Sequence, residues 1–218
     1  MKICGESNSS GLFITFEGIE GCGKTTQARL LYEHLLKEGY RVKLTEEPGG
    51  TEIGIEIRKL LLNKRHDSMH PLTELFLYNA SRIQHVTEKI RPLLTKGYIV
   101  ISDRFMDSTF AYQGYGRGID INLIKCLDDI ARQGLRPDIT FLLDIEPELG
   151  LKRHSSRELD RVEKESLEFH RAVRDGYLEI ARAEPERFVI IPATASIEEI
   201  HNTIIDKVKV LICHLRTL

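Results

Sequence analysis

Tryptophan is absent from this chain, and the sequence also lacks other features that mark particular classes of protein. Its four cysteines, Cys4, Cys22, Cys126 and Cys213, form no Cys-x-x-Cys pair and show no metal-ligand spacing, which argues against a disulfide scaffold or a zinc site. No apolar run approaches the ~18 residues of a membrane span, and the polar N-terminus has no apolar stretch of a signal peptide. We therefore expect an untargeted, soluble protein of the reducing cytoplasm.

Neither sign of charge predominates. The chain has 31 lysines and arginines against 33 aspartates and glutamates, whereas a nucleic-acid-binding domain is usually clearly basic. We expect neither nucleic acid nor a membrane among its partners.

The length of 218 residues suits one α/β domain with a full core and is short for two. The first ten residues are rich in glycine, serine and asparagine, so we predict a flexible tail over 1–10 and a single domain over 11–218.

Short apolar runs alternate with longer amphipathic segments along the chain. The predicted strands are Leu12–Glu17, Tyr40–Thr45, Tyr98–Ser102, Ile139–Leu143 and Phe188–Ile191. Helical spacing covers Thr25 to Glu38, a segment through Ile53 and Leu62, Leu72 to Leu94 with a kink or end at Pro92, Asn122–Ala131, Glu163–Arg182 and Ile197–Leu215. This alternation predicts an α/β protein with three layers, a five-stranded parallel sheet and helices on both faces. Because ligands bind beyond the carboxyl ends of such strands, Gly18, Glu46, Asp103 and Asp144 should share one functional edge.

A phosphate-binding loop is the most specific motif in the chain. The pattern G-x-x-x-x-G-K-[ST] is matched without a mismatch, between a predicted strand and a predicted helix, by Gly18, Ile19, Glu20, Gly21, Cys22, Gly23, Lys24 and Thr25. Its glycines let backbone N–H groups turn inward around an anion, and the helix N-terminus adds its positive dipole end. Lys24 is suited to neutralising β- and γ-phosphate charge, and the Thr25 hydroxyl to ligating Mg²⁺. The motif predicts a P-loop NTPase fold that binds ATP, and does not identify the phosphate acceptor.

Other sequence features narrow the class of P-loop protein. The nearest match to the base-reading N-K-x-D motif of GTPases begins at Asn63 and lacks the aspartate, so a small kinase remains. Asp103 could hold a Mg²⁺-bound water and Arg104 an acceptor phosphate; the alternative is a surface ion pair after a strand. Arginines recur every four residues at Arg153, Arg157 and Arg161, either as phosphate-covering residues or as a solvated basic face.

An ordered set of segments resembles the thymidylate kinase family of bacterial type. The segments are FEGIEGCGKTT, EEPGGTEIG, LFLYNASR, DRFMDSTFAYQGYGRGI, RPDITFLLDIEPELGLKR and ELDRVEKES. The resemblance extends from Leu12 to about Tyr177, and the remainder from residue 188 matches only in pattern. It implies an enzyme that phosphorylates dTMP to dTDP with ATP and Mg²⁺, a step in dTTP biosynthesis.

The resemblance also implies roles for individual residues. Arg82 would hydrogen-bond the thymine base while Tyr78, one helical turn earlier, stacks on it. Arg58 and Arg104 would bind the acceptor phosphate, Glu20 would accept from the sugar 3′-hydroxyl, and the rest of the acceptor pocket would comprise Pro48, Ser108, Thr109, Tyr112 and Gln113. ATP would contact the loop residues Gly18 to Thr25 together with Thr26, Arg153 and Arg157. The catalytic set would be Lys24, Asp103, Arg104 and Arg153, and the metal ligands Thr25 and Asp103.

The phosphate-binding loop carries no arginine, so a lid near residues 150–162 would supply Arg153, with Arg157 or Arg161, to the transition state. Adenine would contact the turn Pro192–Ser196. The family's two-fold dimer is expected here too, with Leu72–Tyr78 either at the interface or in the core.

Three positions depart from the family pattern. Glu46 stands where the family usually has arginine, Tyr78 where it has phenylalanine, and Phe105 where it has tyrosine or histidine. Glu46 would either weaken acceptor binding or point to solvent. Two alternatives therefore remain open: a kinase for another nucleotide or nucleoside, and a P-loop ATPase or nucleotide-dependent binding module without a small acceptor.

Overall fold

The structure, a computed structural model, describes residues 11–153 and 159–217, with side chains described as far as residue 213. A parallel five-stranded sheet forms its centre, in the order β2-β3-β1-β4-β5. The strands are β1 Leu12–Glu17, β2 Val42–Glu46, β3 Ile99–Asp103, β4 Ile139–Asp144 and β5 Phe188–Pro192. The helices are α1 Lys24–Lys37, α2 Glu52–Leu62, α3 Pro71–His85, α4 Arg91–Thr95, α5 Met106–Thr109, α6 Ile121–Arg132, α7 Pro147–Arg153, α8 Leu167–Ala183 and α9 Ile197–Thr217. The predicted fold class and each predicted strand are confirmed: β1 has the predicted bounds, and the ends of the other strands differ by at most two residues.

Helices cover both faces of the sheet because successive side chains of a strand point to opposite sides. On β1, Ile14 and Phe16 belong to a core cluster that includes Leu31 of α1. Phe13, which precedes Ile14 and points to the opposite face, packs instead with Val86 and Phe105 in a second cluster. The register places Phe16 beside Asp103 and Glu46 beside Asp103, so the carboxyl ends of β1, β2 and β3 meet at one edge as predicted.

The predicted single helix from Leu72 to Leu94 is wrong in one respect. A π-helical turn, Val86–Ile90, separates α3 from α4. Pro92 has no N–H, and its ring would clash with a regular helical backbone one turn earlier, so the wider turn precedes it and the chain stays helical to Thr95. A second π-helical segment, Phe110–Gly116, follows α5 where no element was predicted.

The predicted helix beginning at Glu163 begins later, at Leu167. The Asp160 carboxylate accepts hydrogen bonds from the backbone N–H groups of Val162 and Glu163, both at 2.9 Å, which holds this stretch in a turn. Ser166 then caps α8 by accepting from the Phe169 N–H at 3.2 Å. In the part of the chain that the structure describes, no helix has the length and apolar character needed to cross a membrane.

Candidate active site

The loop between β1 and α1 has the backbone geometry of an anion-binding nest. Gly18, Gly21 and Gly23 adopt φ values of 136°, 75° and 94°, in the region that favours glycine. At Gly21 a Cβ atom would also collide with the carbonyl group of Gly150 in α7. Glycine at this position therefore serves both the loop conformation and the close packing of α7 against it.

Lys24 lies along the loop at the start of α1. Its Nζ donates to the Ile19 carbonyl oxygen at 2.8 Å and to Cys22 Sγ at 3.4 Å, and the residue is only 7% exposed. The ammonium group is thus held against the rim of the nest, where the phosphates of a nucleotide would lie.

Thr25 and Asp103 meet across the ends of α1 and β3, as the sequence predicted for a metal site. The Thr25 hydroxyl donates to Asp103 Oδ2 at 2.5 Å. A hydroxyl and a carboxylate are hard oxygen donors, which is the donor chemistry that Mg²⁺ prefers. The two residues present here therefore fit a magnesium ion beside the nest.

One cavity of about 800 Å³ extends from the phosphate-binding loop to a region lined by residues of the predicted acceptor site. Predicted donor-side residues that line it are Glu20, Gly21, Cys22, Gly23, Lys24, Thr25, Thr26, Asp103 and Arg153. Predicted acceptor-side residues that line it are Pro48, Arg58, Tyr78, Arg82, Arg104, Ser108, Thr109, Tyr112 and Gln113. Gly18 and Ile19 form the loop without lining the cavity, and Arg157 lies outside the described residues.

Arg104 is the centre of the polar network between the two halves. Its φ of 69° is unusual for a residue with a side chain and is strained by about 1–3 kcal/mol, and its N–H is bonded to the Phe16 carbonyl at 2.9 Å. The guanidinium donates to the Gly18 carbonyl at 3.0 Å and to Glu20 at 2.5 Å. It also donates to the hydroxyls of Ser108, Tyr112 and Tyr177, at 3.2, 3.2 and 3.0 Å respectively.

Glu20 is the carboxylate that faces this arginine. Burial alone would raise its pKa, but the positive charges of Arg104 and Lys24 more than offset burial and lower the pKa to about 2. The Tyr112 hydroxyl donates to it at 2.6 Å. Glu20 is therefore an ionised acceptor, suited to receiving a hydroxyl hydrogen bond from a ligand.

Glu17, at the end of β1, was not identified from the sequence. It accepts from the Phe105 N–H at 2.8 Å and from the hydroxyls of Ser108 at 2.6 Å and Tyr177 at 2.9 Å. Burial, with Asp107 nearby, raises its pKa to about 7. Ser108 and Tyr177 also contact Arg104. Glu17 therefore helps to position the Arg104 side chain through these two hydroxyls.

The Tyr78 and Arg82 side chains both line the second half of the cavity. Burial, and to a smaller extent the negative charge of Glu74, raises the pKa of the Tyr78 phenol, which stays protonated. Arg82 is only 1% exposed and donates to Glu47 at 2.9 Å. The guanidinium further donates to Asp128, the Phe105 carbonyl and the Thr109 hydroxyl, at 3.3, 3.1 and 2.8 Å.

Glu47 explains why this buried arginine is tolerated. Its other oxygen contacts His85 Nδ1 at 3.0 Å, and His85 Nε2 contacts the Thr45 hydroxyl at 2.7 Å. Burial alone would raise the pKa of Glu47, but Arg82 and the hydrogen bond with His85 lower it. This network holds the guanidinium plane of Arg82 at the cavity wall. Glu47 was not predicted from the sequence.

Arg58 and Glu46 face each other at the wall of the cavity. Arg58 Nη1 lies 3.3 Å from Glu46 Oε2 and donates to the Pro48 carbonyl at 2.7 Å. Glu46 lines the cavity, but its side chain is also 57% exposed, so both possibilities for this residue stay open.

Arg153 and Arg161 differ in position. Arg153 Nη1 donates to the Gly21 carbonyl at 3.3 Å and Nη2 to the Ala193 carbonyl at 3.0 Å, which places it beside the nest. Arg161 is buried and donates to the Leu61 carbonyl at 2.8 Å and to Glu74. In this conformation Arg161 is held away from the nest, so its suggested place near the phosphates is not seen.

Further residues line the cavity without having been predicted as site residues, although Glu46 and Phe105 were noted as departures from the family pattern. These further residues are Gln27, Glu46, Glu47, Leu62, Phe105, Asp160, Val162, Glu163, Ala193, Ala195, Ser196, Ile197 and Ile200. Most come from turns and helix ends whose side chains meet only after the chain has folded. Ala193, Ala195 and Ser196 belong to the turn predicted for adenine, and the acidic residues of ELDRVEKES were the available signal for Asp160 and Glu163.

Comparisons with known proteins agree on one group of enzymes. A family model described as Thymidylate kinase matches residues 16–204. The thymidylate kinase of Thermoanaerobacter sp. (strain X514) is 48% identical over 199 residues, covering 91% of this chain and 98% of that protein. That of Sulfurihydrogenibium sp. (strain YO3AOP1) is 50% identical over 199 residues, covering 91% and 97%. The crystal structure of thymidylate kinase from Ehrlichia chaffeensis superposes with a TM-score of 0.76 at 40% identity, covering 92% of this chain and 99% of that one.

Proposed function

The chain belongs to the thymidylate kinase family, and on that premise we propose that it transfers the γ-phosphoryl group of ATP to dTMP, giving dTDP and ADP on the route to dTTP. It is an enzyme of the phosphotransferase class. The observation that carries the proposal is the single cavity that joins the phosphate-binding loop to an arginine-lined pocket. Nearly all predicted donor and acceptor residues meet there.

The donor half binds the triphosphate of ATP. The loop N–H groups between Gly18 and Thr26 receive the phosphates, and Lys24 neutralises their charge. Thr25 and Asp103 would hold Mg²⁺, which when bound screens the negative charge that two phosphate groups bring together. Arg153 reaches the transferring group from α7, and Arg157 is the second arginine of this lid.

The acceptor half binds dTMP. Arg104 and Arg58 take its phosphate, while Tyr78 stacks on the base that Arg82 reads. Glu20 accepts from the sugar 3′-hydroxyl. The remaining wall is formed by Pro48, Ser108, Thr109, Tyr112 and Gln113. Transfer then depends on positioning and on charge stabilisation, because little covalent work is left to the protein.

The domain assignment is part of the same proposal. We take residues 11–218 as one kinase domain in which residues 150–162 act as a lid that excludes water from the phosphates. The segment 1–10, predicted as a tail, lies outside the described residues. Arg161, bonded to Glu74 and to the Leu61 carbonyl, would be the fixed end of that lid.

We also propose that two copies of the chain associate. Exposed apolar side chains lie on the neighbouring helices α2 and α3, among them Ile53 at 53% exposed and Phe76 at 55%. Leu72 and Ile83 extend this surface along α3. A cytoplasmic location is proposed with it, since Cys22 and Cys126 are not in disulfides and the proposed substrates are cytoplasmic nucleotides.

The test is a panel of phosphate acceptors with ATP and Mg²⁺, followed by coupled detection of ADP. We expect turnover with dTMP to exceed that with dCMP, AMP and GMP by at least 100-fold in kcat/KM. Equal turnover with another monophosphate would support the alternative of a different nucleotide kinase. ADP release that is independent of any acceptor would support an ATPase and contradict the proposal.

A further inference from the structure

Glu46 is an acidic side chain in the active-site cavity to which the proposed transfer assigns no role. It is the last residue of β2 and lies beside Asp103 in the register of the sheet. It lines the cavity together with Arg58 and Arg104, the two arginines assigned to the acceptor phosphate. A dianionic phosphate in this pocket would therefore lie close to a carboxylate of the same charge.

The carboxylate is already paired with one of these arginines. Arg58 Nη1 lies 3.3 Å from Glu46 Oε2 and donates to the Pro48 carbonyl oxygen at 2.7 Å. The Nη1 group of Arg58 is thus shared between an acidic side chain and a backbone oxygen. An incoming phosphate has to share or replace the acidic partner.

Glu46 is much easier to displace than the acids that hold the other cavity arginines. The Glu46 side chain is 57% exposed and that of Arg58 is 38% exposed. By contrast, the side chains of Glu47 beside Arg82 and Glu20 beside Arg104 are 4% and 13% exposed. An exposed ion pair contributes little free energy and its members rehydrate readily, whereas breaking a buried pair is costly.

We propose that Glu46 competes with the acceptor's phosphate for Arg58 and thereby works as a charge-dependent filter on the acceptor site. It lowers the affinity of a monophosphate, lowers that of the more highly charged diphosphate product further, and leaves an uncharged nucleoside unaffected. This inference rests on the proposed function, because it takes Arg58 as a ligand of the acceptor phosphate. Its consequence is faster release of the product from a site rich in arginine.

The first test is Glu46→Gln, which removes the charge and keeps the shape. We expect KM for dTMP to fall about two- to five-fold, as loss of an exposed ionic competitor implies, with kcat changed less than two-fold. The inhibition constant of dTDP should fall at least as much, and that of thymidine should stay the same. Raising the salt concentration should reduce the difference in KM for dTMP between the variant and the unaltered enzyme.

The matched control is Glu33→Gln, which removes an exposed acid paired with Arg29 at 2.9 Å on α1, away from the cavity lining. It should leave all three constants unchanged, and melting curves should show both variants folded like the unaltered enzyme. An unchanged KM in Glu46→Gln, or an equal gain for thymidine, would overturn the proposal.

A double-mutant cycle tests whether the effect runs through Arg58. Arg58→Ala should raise KM for dTMP, and adding Glu46→Gln in that background should bring no further gain. A gain that persists without Arg58 would mean direct repulsion and contradict the competition. If KM for dTMP is unchanged in Arg58→Ala, Arg58 does not bind the acceptor phosphate and this proposal is wrong. Failure of the proposed function is distinguishable, because the unaltered enzyme would then not turn over dTMP.

Discussion

Glu17 and Glu20 are three residues apart, both are buried, and their pKa values move in opposite directions. Burial and the neighbouring Asp107 dominate at Glu17, and raise its pKa to about 7. At Glu20, burial is outweighed by Arg104 and Lys24, and the pKa falls to about 2. Glu20 in the loop therefore presents an ionised carboxylate to the cavity, whereas Glu17 at the end of β1 keeps part of its proton near neutral pH.

Glu17 gives the folded protein a stability that decreases as pH rises. Its pKa is about 7 in the folded state against 4.5 for an unperturbed glutamate, so its contribution is complete below pH 4.5 and is lost as pH rises through 7. The loss is on the order of 3 kcal/mol. In Glu17→Gln this component is absent, and the free energy of unfolding should fall less between pH 5 and pH 8.

Urea unfolding at several pH values measures this directly, and the slope with pH is the quantity to compare, since the substitution also changes hydrogen bonds to Ser108 and Tyr177. Glu33→Gln, an exposed control on α1, should follow the unaltered protein. Parallel pH curves for Glu17→Gln and the unaltered protein would contradict the raised pKa.

Substitutions of Arg104 and Arg153 should change different kinetic constants. Arg104 lies among Glu20, Ser108 and Tyr112, so Arg104→Ala should raise KM for dTMP ten-fold or more through loss of charge-assisted bonds. Arg153 is exposed and bonded only to carbonyl oxygens in the described contacts, so Arg153→Ala should lower kcat at least 100-fold with little change in that KM.

Steady-state kinetics with each substrate varied in turn make this comparison. The control is Arg171→Ala, which removes an exposed arginine of α8 paired with Glu148. Should Arg153→Ala weaken only ATP affinity, Arg153 would be a docking residue.

At the scale of elements, the contact between the phosphate-binding loop and α7 is unusually close. A Cβ at Gly150 would collide with the Glu20 carbonyl, and one at Gly21 with Gly150 itself. Gly150→Ala should therefore push α7 from the loop, moving Arg153 away from the Gly21 carbonyl. We expect kcat to fall ten-fold or more and the protein to lose about 1–3 kcal/mol of stability.

Kinetics and thermal melting of Gly150→Ala test this coupling. Leu149→Ala, at an exposed neighbouring position of the same helix, is the control and should behave like the unaltered enzyme. Full activity in Gly150→Ala would show that the loop and α7 can separate without consequence.

Local patterns predicted these elements unevenly. The loop and α1 were predictable because the motif combines residue types with fixed spacing, and the Ser166 cap could be found from the same kind of local rule. The π-helical turn Val86–Ile90 could not be, because apolar spacing continues unbroken through it. Glu17 and Glu47 were not identified, and Arg161 was expected near the phosphates rather than on Glu74, because their partners lie at least 35 residues away in the chain.

The sheet order belongs to the whole molecule. β3 lies between β1 and β2, an arrangement that local pattern does not specify because its pairings join distant segments. This order brings Asp103 beside both the loop and Glu46. The donor and acceptor halves of the cavity therefore depend on long-range pairing, whereas each half carried its own sequence motif.

Association of two copies is also a property of the whole molecule. Phe76→Glu places a charge in the exposed apolar surface of α2 and α3, and should convert the dimer into a monomer in sedimentation experiments. Leu36→Glu, at an exposed site on α1, is the control and should leave the mass unchanged. A monomeric unaltered protein at micromolar concentration would contradict the proposed dimer.

The central claim is that one cavity holds a triphosphate and a pyrimidine deoxynucleotide with their phosphates facing each other. The most direct measurement is a crystal structure of the protein with dTMP, Mg²⁺ and a non-hydrolysable ATP analogue. We predict thymine between Tyr78 and Arg82, its phosphate on Arg58 and Arg104, and the triphosphate on the loop beside Lys24. Thymidylate bound elsewhere, with Tyr78 turned into the protein interior and the acceptor half filled by side chains, would contradict the account.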